Sequence, residues 1–74
     1  MATTSPVFGV AAIGEVAGTV WRTLSDEGPT TLAQLVKSVG EPRDTVMQAV
    51  GWLAREGKIG FDDSGRNRKV FLQS

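Results

Sequence analysis

The sequence predicts an α+β fold in which three helices are followed by a two-stranded β-hairpin, and three observations lead to this prediction. Apolar residues first recur at steps of three and four, the period of a helix face, and later alternate, the period of a strand. Glycine and proline stand between the periodic segments, where helices end. The turn between the second and third helices, Gly40–Pro42, is only three residues long.

The first helix is predicted to run roughly from Ala11 to Glu27. Gly28 and Pro29 follow it and form the usual stop signal. Its apolar positions share one face. They are Ile13, Val16, Ala17, Val20 and Leu24.

The second and third helices have clear boundary signals. Thr31 and Gln34 fit a capping box, in which the threonine hydroxyl accepts from the backbone N–H three residues on and the glutamine reaches back. Gly40 is expected to end the second helix in the left-handed conformation. The third helix is predicted over residues 42–56, with Pro42 at its first position because a proline lacks the N–H that would be unpaired there.

The hairpin is predicted over residues 58–72. Four alternating apolar residues are expected to close over the helices, namely Ile59, Phe61, Val70 and Leu72. A short third strand near Thr30 is an option for this sheet. A tight turn between two short helices, followed directly by a hairpin, is the winged helix-turn-helix pattern. We expect this domain to span residues 9–74 after a flexible tail, 1–8, and a plain three-helix bundle is the alternative.

Two segments resemble a known family. Residues Gly51–Ile59 (GWLAREGKI) are similar to the end of the recognition helix and the first wing strand of winged-helix proteins, and Ala17–Trp21 (AGTVW) adds to the likeness. Together they resemble a family of small stand-alone winged helix-turn-helix proteins of prokaryotes. The resemblance extends from about residue 12 to residue 72. It implies the fold, and it implies DNA binding only by association with that fold.

Composition argues against several classes of function. The chain has no cysteine and no histidine, which excludes disulfides and zinc sites of the usual kind. We therefore expect no enzyme, no metal, no cofactor and no small-molecule ligand. The apolar stretch Val7–Ile13 is too short to span a bilayer, so no membrane association is expected. The absence of cysteine is compatible with the reducing cytoplasm, where we expect the protein to be.

Charge is distributed unevenly, although the formal net charge is zero. Residues 1–57 hold six acidic and four basic side chains, whereas residues 58–74 hold two acidic and four basic ones. We expect double-stranded DNA as the partner, with helix 42–56 in the major groove and wing 58–72 on the phosphates. The candidate DNA-binding residues are Arg43, Thr45, Gln48, Arg55, Arg66, Arg68 and Lys69. The corresponding role is that of a transcriptional regulator or a small chromosome-associated protein.

The first helix is a candidate homodimer interface. Gly14 and Gly18 lie four residues apart, and glycine inside a helix costs about 1 kcal/mol relative to alanine unless close packing compensates. The helix that packs there is either the third helix, through Gly51, or a second subunit. Trp21 lies at the border of the apolar face of this helix and is the third residue of the predicted interface. Trp21 and Trp52 at such borders are equally compatible with an extension of the hydrophobic core. A protein-interaction module without DNA binding is the alternative function.

Overall fold

The computed structural model describes residues 9–63 and 68–73. The tail predicted over residues 1–8 lies outside the described residues, as do residues 64–67 and Ser74. The described part confirms the predicted winged helix-turn-helix fold, with three helices and an antiparallel sheet. Its elements in chain order are α1 (Val10–Glu27), β1 (Thr30–Thr31), α2 (Leu32–Val39), α3 (Arg43–Arg55), β2 (Ile59–Asp62) and β3 (Lys69–Leu72).

The core lies between the three helices and is closed by the base of the hairpin. Helix α1 buries one stripe of small and aliphatic side chains, and it packs mainly against α3 and then α2. The helix ends at Gly28, where φ is 80° and the N–H donates to the Leu24 carbonyl over 2.9 Å. The buried apolar residues are Ala12, Val16, Ala17, Val20, Leu24, Leu35, Val46, Ala49, Val50, Leu53, Ile59 and Val70.

The start of α2 shows half of the predicted capping box. The Gln34 N–H donates to Thr31 Oγ1 over 3.1 Å, as expected. The Gln34 side chain does not reach back; it donates forward to Ser38 Oγ, which in turn donates to the Glu27 carboxylate over 3.2 Å. Gln34 therefore helps to join α2 to the end of α1. Gly40 ends α2 in the left-handed region, at φ 76° and ψ 16°.

Helix α3 begins one residue later than predicted. Pro42 is the N-cap, with extended ψ of 138°, and its carbonyl accepts from the Val46 N–H over 3.0 Å. The end of the helix is a Schellman motif. In it Gly57, at φ 75°, donates to the Ala54 carbonyl, and Lys58 donates to the Leu53 carbonyl. This tight ending leads straight into β2.

The sheet has three strands in the order β1-β3-β2, so the third strand near Thr30 is confirmed. Thr30 pairs with Val70 and Thr31 with Lys69. In the hairpin Ile59 pairs with Leu72 and Phe61 with Val70.

The expectation that Phe61 closes over the helices is wrong. Ile59, at the base of the hairpin, is 3% exposed, but Phe61, two residues further along, is 51% exposed. Phe61 lies on β2, an edge strand of the sheet, whereas its partner Val70 on the central strand β3 is fully buried. The sheet therefore contributes Ile59 and Val70 to the core and leaves its edge at Phe61 exposed.

Candidate nucleic-acid interface

The solvent-exposed face of α3 is the surface that a winged-helix protein would present to the major groove. Asp44, Gln48, Gly51 and Arg55 are exposed there, opposite the buried stripe of the same helix. Arg43 is exposed on one flank. Among the described residues, Arg43, Gln48 and Arg55 form no side-chain hydrogen bond or ion pair with a neighbour. Their donors are therefore available to a ligand.

Thr45 does not belong to this surface. Its side chain is 4% exposed, because the helix turns that edge toward the protein interior. A side chain at this depth cannot reach a base edge. We therefore leave Thr45 out of the interface, although the sequence placed it there.

The wing presents fewer free cations than the sequence suggested. Lys69 and Arg68 are exposed, as expected. The Arg68 Nε atom, however, lies 3.3 Å from Asp63 Oδ1, and both side chains are largely exposed, at 80% and 71%. Such an exposed pair is weak, but it offsets part of the wing's positive charge. Arg66 lies outside the described residues.

The wing cations lie beside the N-terminal end of α2. Leu32, the first residue of α2, lines a shallow groove of about 200 Å³ together with Phe61, Asp63, Arg68 and Lys69. Lys69 is also the strand partner of Thr31, the N-cap of α2. A helix N-terminus bears partial positive charge, so this end of α2 and the wing cations favour the same kind of ligand, an anion.

The glycines of α1 leave open space. Gly14 and Gly18 are exposed, and a Cβ added at either would meet nothing within 4 Å. The same is true of Gly51 on α3. The glycines therefore do not serve close packing between α1 and α3.

The two tryptophans are only partly accounted for by the core. Trp21 is 44% exposed and Trp52 is 52% exposed. Both rings line a groove of about 310 Å³ between α1 and the second half of α3. Each tryptophan therefore extends the hydrophobic core with only about half of its surface.

Other kinds of site are absent from the part of the chain that the structure describes. Residues 9–63 and 68–73 hold no group of three or more acidic side chains arranged to bind a metal ion. Over the same ranges, none of the helices combines the length and the apolar character needed to cross a bilayer.

Three helices, a tight turn between the second and third, and a hairpin directly after the third define the class of winged helix-turn-helix domains. The sequence matches the family described as "Winged helix-turn-helix domain (DUF2582)" over residues 9–73, and the chain belongs to that family. This confirms the resemblance seen in the sequence.

Two solved structures share the fold. Protein BT2368 from Bacteroides thetaiotaomicron, a solution NMR structure, is 27% identical, with a TM-score of 0.75 over 84% of this chain and 76% of that one. The Zalpha domain of PKZ from Carassius auratus, solved in complex with Z-DNA, is 16% identical, with a TM-score of 0.73 over 84% of this chain and 98% of that one. No curated protein matches the chain.

Proposed function

We propose that this protein binds double-stranded DNA, with α3 in the major groove and the wing on the phosphate backbone. The observation that carries the proposal is the exposed face of α3, where Gln48 and Arg55 have free donors. The Zalpha domain, with the same fold, was solved bound to Z-DNA, which supports nucleic-acid binding as a use of this fold. At 16% identity that likeness supports no residue assignments.

Gln48 and Arg55 are suited to reading bases. They are seven residues apart, which places them about 20° from each other around the helix and about 10 Å apart along it. Glutamine can pair with adenine and arginine with guanine through two hydrogen bonds each. Arg43, on the flank of the first turn, is placed for a phosphate. Asp44 repels phosphates and so limits how closely the first turn can approach the backbone.

The affinity is expected to be modest for one copy. The described interface offers four cations, namely Arg43, Arg55, Arg68 and Lys69. If Arg43, Arg68 and Lys69 each contact one phosphate, log K should fall with log salt with a slope of roughly −3. Two copies would double the number of phosphate contacts and so the salt slope. We propose a homodimer, formed through α1, that presents two α3 helices to successive half-sites. Its role would be that of a cytoplasmic transcriptional regulator or a small chromosome-associated protein.

Charge-reversal variants test this proposal by fluorescence anisotropy on a labelled duplex of mixed sequence at low salt. Arg43→Glu should weaken binding about tenfold and flatten the salt slope by roughly 1, because it removes a cation that neutralises one phosphate. Arg55→Glu should weaken binding by a similar factor, because it removes a base contact and adds a negative charge at the groove. Lys37→Glu is the matched control, because Lys37 is an exposed cation on α2 and belongs to neither α3 nor the wing. Absence of binding by the unmodified protein at low salt would contradict the proposal, as would equal losses in all three variants.

A second candidate function is protein–protein interaction without DNA contact. The half-exposed Trp21 and Trp52 favour it, because tryptophan is enriched in protein interfaces. Recovery of a partner protein by the full chain, together with absence of DNA binding in the titration above, would favour this second function.

A further inference from the structure

A groove runs along α1 and ends against the tryptophans; we call it the tryptophan groove. It consists of two adjoining cavities that share Trp52: an apolar one of about 190 Å³, and one of about 310 Å³ that Glu56 and Lys58 also line. Along α1 it extends from Val10 to Trp21, a length of about 17 Å. At Gly14 and Gly18 the floor of the groove is backbone, because glycine has no side chain. The space above both residues is open, since an added Cβ would meet nothing within 4 Å. Val10, at one end, is 81% exposed.

The groove has an aromatic side and a charged side. Trp52 lines both cavities and therefore lies level with the stretch between Gly14 and Gly18. On the other flank of the glycines, outside the cavities, α1 carries Glu15 and Arg22, which are seven residues apart and so within about 20° of each other around the helix. Both are exposed, and neither forms an ion pair among the described residues.

This pattern of charge is complementary to itself when two copies of α1 pack antiparallel. When two identical helices pack antiparallel about a two-fold axis, the same side of each faces the other, and residue i meets j while j meets i. With the axis passing between Gly18 and Thr19, Glu15 of each copy lies opposite Arg22 of the other. In a parallel pair related by a two-fold axis, the charged side of each helix faces the aromatic side of the other, so Glu15 and Arg22 do not meet.

The aromatic side agrees with the same axis. In that register Trp21 of one copy lies opposite position 16 of the other, which is the level of Trp52. The glycines allow the two α1 backbones to approach, so the aromatic rings can meet across the axis. Tryptophan pairs of this kind contribute beyond the area they bury.

We infer that a second copy of this chain docks antiparallel on the tryptophan groove, with two Glu15–Arg22 ion pairs on one side and two Trp21–Trp52 contacts on the other. The inference rests on the homodimer of the proposed function but not on its DNA contacts. It gives that homodimer a defined axis, register and set of contacts.

A charge swap tests the arrangement in the full chain, without DNA, by sedimentation equilibrium against a monomer mass of 7.9 kDa. Glu15→Arg and Arg22→Glu should each raise the dimer Kd about tenfold, because each replaces two attractive pairs with two repulsive ones. The double variant should return to within about threefold of the original Kd. Lys37→Glu, a substitution outside the groove, should leave the dimer Kd unchanged. Thermal unfolding by circular dichroism shows that each variant is folded.

Tryptophan fluorescence gives a second measurement. In a Trp52→Phe variant, emission from Trp21 should move to shorter wavelength as the protein concentration rises, because the ring leaves water when the dimer forms. A dimer Kd that is the same with and without the charge reversals at Glu15 and Arg22 would contradict the arrangement. A protein that stays monomeric at high micromolar concentration would also contradict the arrangement. In that case the groove is empty, is covered by residues 1–8, or binds another protein. DNA binding by such a monomer would leave the proposed function standing.

Discussion

The ring of Phe71 lies against the backbone of Gly60, its partner on the neighbouring strand. A Cβ at residue 60 would come within 2.8 Å of the ring's Cζ atom and would also meet Oε1 of Gln73. The two residues lie on the sheet face away from Ile59 and Val70, since neighbouring side chains on a strand point to opposite faces. Gly60 is therefore the residue that lets the aromatic ring cover the hairpin backbone on this face of the sheet.

Gly60→Ala should lower the free energy of unfolding by about 1–3 kcal/mol, because the ring and the glutamine must move to admit the methyl group. Chemical denaturation of the variant measures this. Gly51→Ala is the control: nothing lies within 4 Å of an added Cβ there, and α3 should gain about 1 kcal/mol from the better helix former. A neutral or stabilising Gly60→Ala would show that the ring is not held against the glycine.

Thr31→Ala should cost about 1 kcal/mol, since it removes the oxygen that accepts from the Gln34 N–H at the start of α2. Thr31→Ser keeps that oxygen and should retain most of the stability. Thermal or urea unfolding of both variants separates the cap from the strand position that Thr31 also occupies beside Lys69. Equal losses in the two variants would assign the effect to the strand, not to the hydroxyl.

Asp63→Asn should strengthen DNA binding about three- to tenfold at low salt, because it frees the Arg68 guanidinium and removes a negative charge that would face phosphates. The gain should disappear as salt is raised, since it is electrostatic. Fluorescence anisotropy over a salt series measures both effects. Unchanged or weaker binding would remove the wing from the proposed interface.

Much of the fold follows from local chemistry in the sequence. Gly28, Gly40 and Gly57 end their helices in the left-handed region, and Thr31 caps α2 through its own hydroxyl. These features depend on neighbours within a few residues, so a pattern of residue types is enough to predict them. The weak signal for a strand at Thr30 also proved correct, because β3 supplies the missing partner.

Exposure at the edges of elements was harder to predict. Thr45 and Trp52 occupy the same edge of α3, yet Thr45 is buried and Trp52 is half-exposed. The difference depends on what the tertiary structure places against each residue, and the helix period does not contain that information. Phe61 alternates correctly with Ile59, but its exposure depends on β2 being an edge strand of the sheet, which is a tertiary property.

The most direct test of the central claim is amide chemical-shift mapping of the full chain by NMR as a short duplex is added at low salt. The DNA-binding proposal predicts concentrated shifts in α3, above all near Gln48 and Arg55, and in the wing around Arg68 and Lys69. The buried half of α1, around Val16 and Val20, should change little. Absence of shifts, or shifts confined to the tryptophan groove, would contradict the proposal.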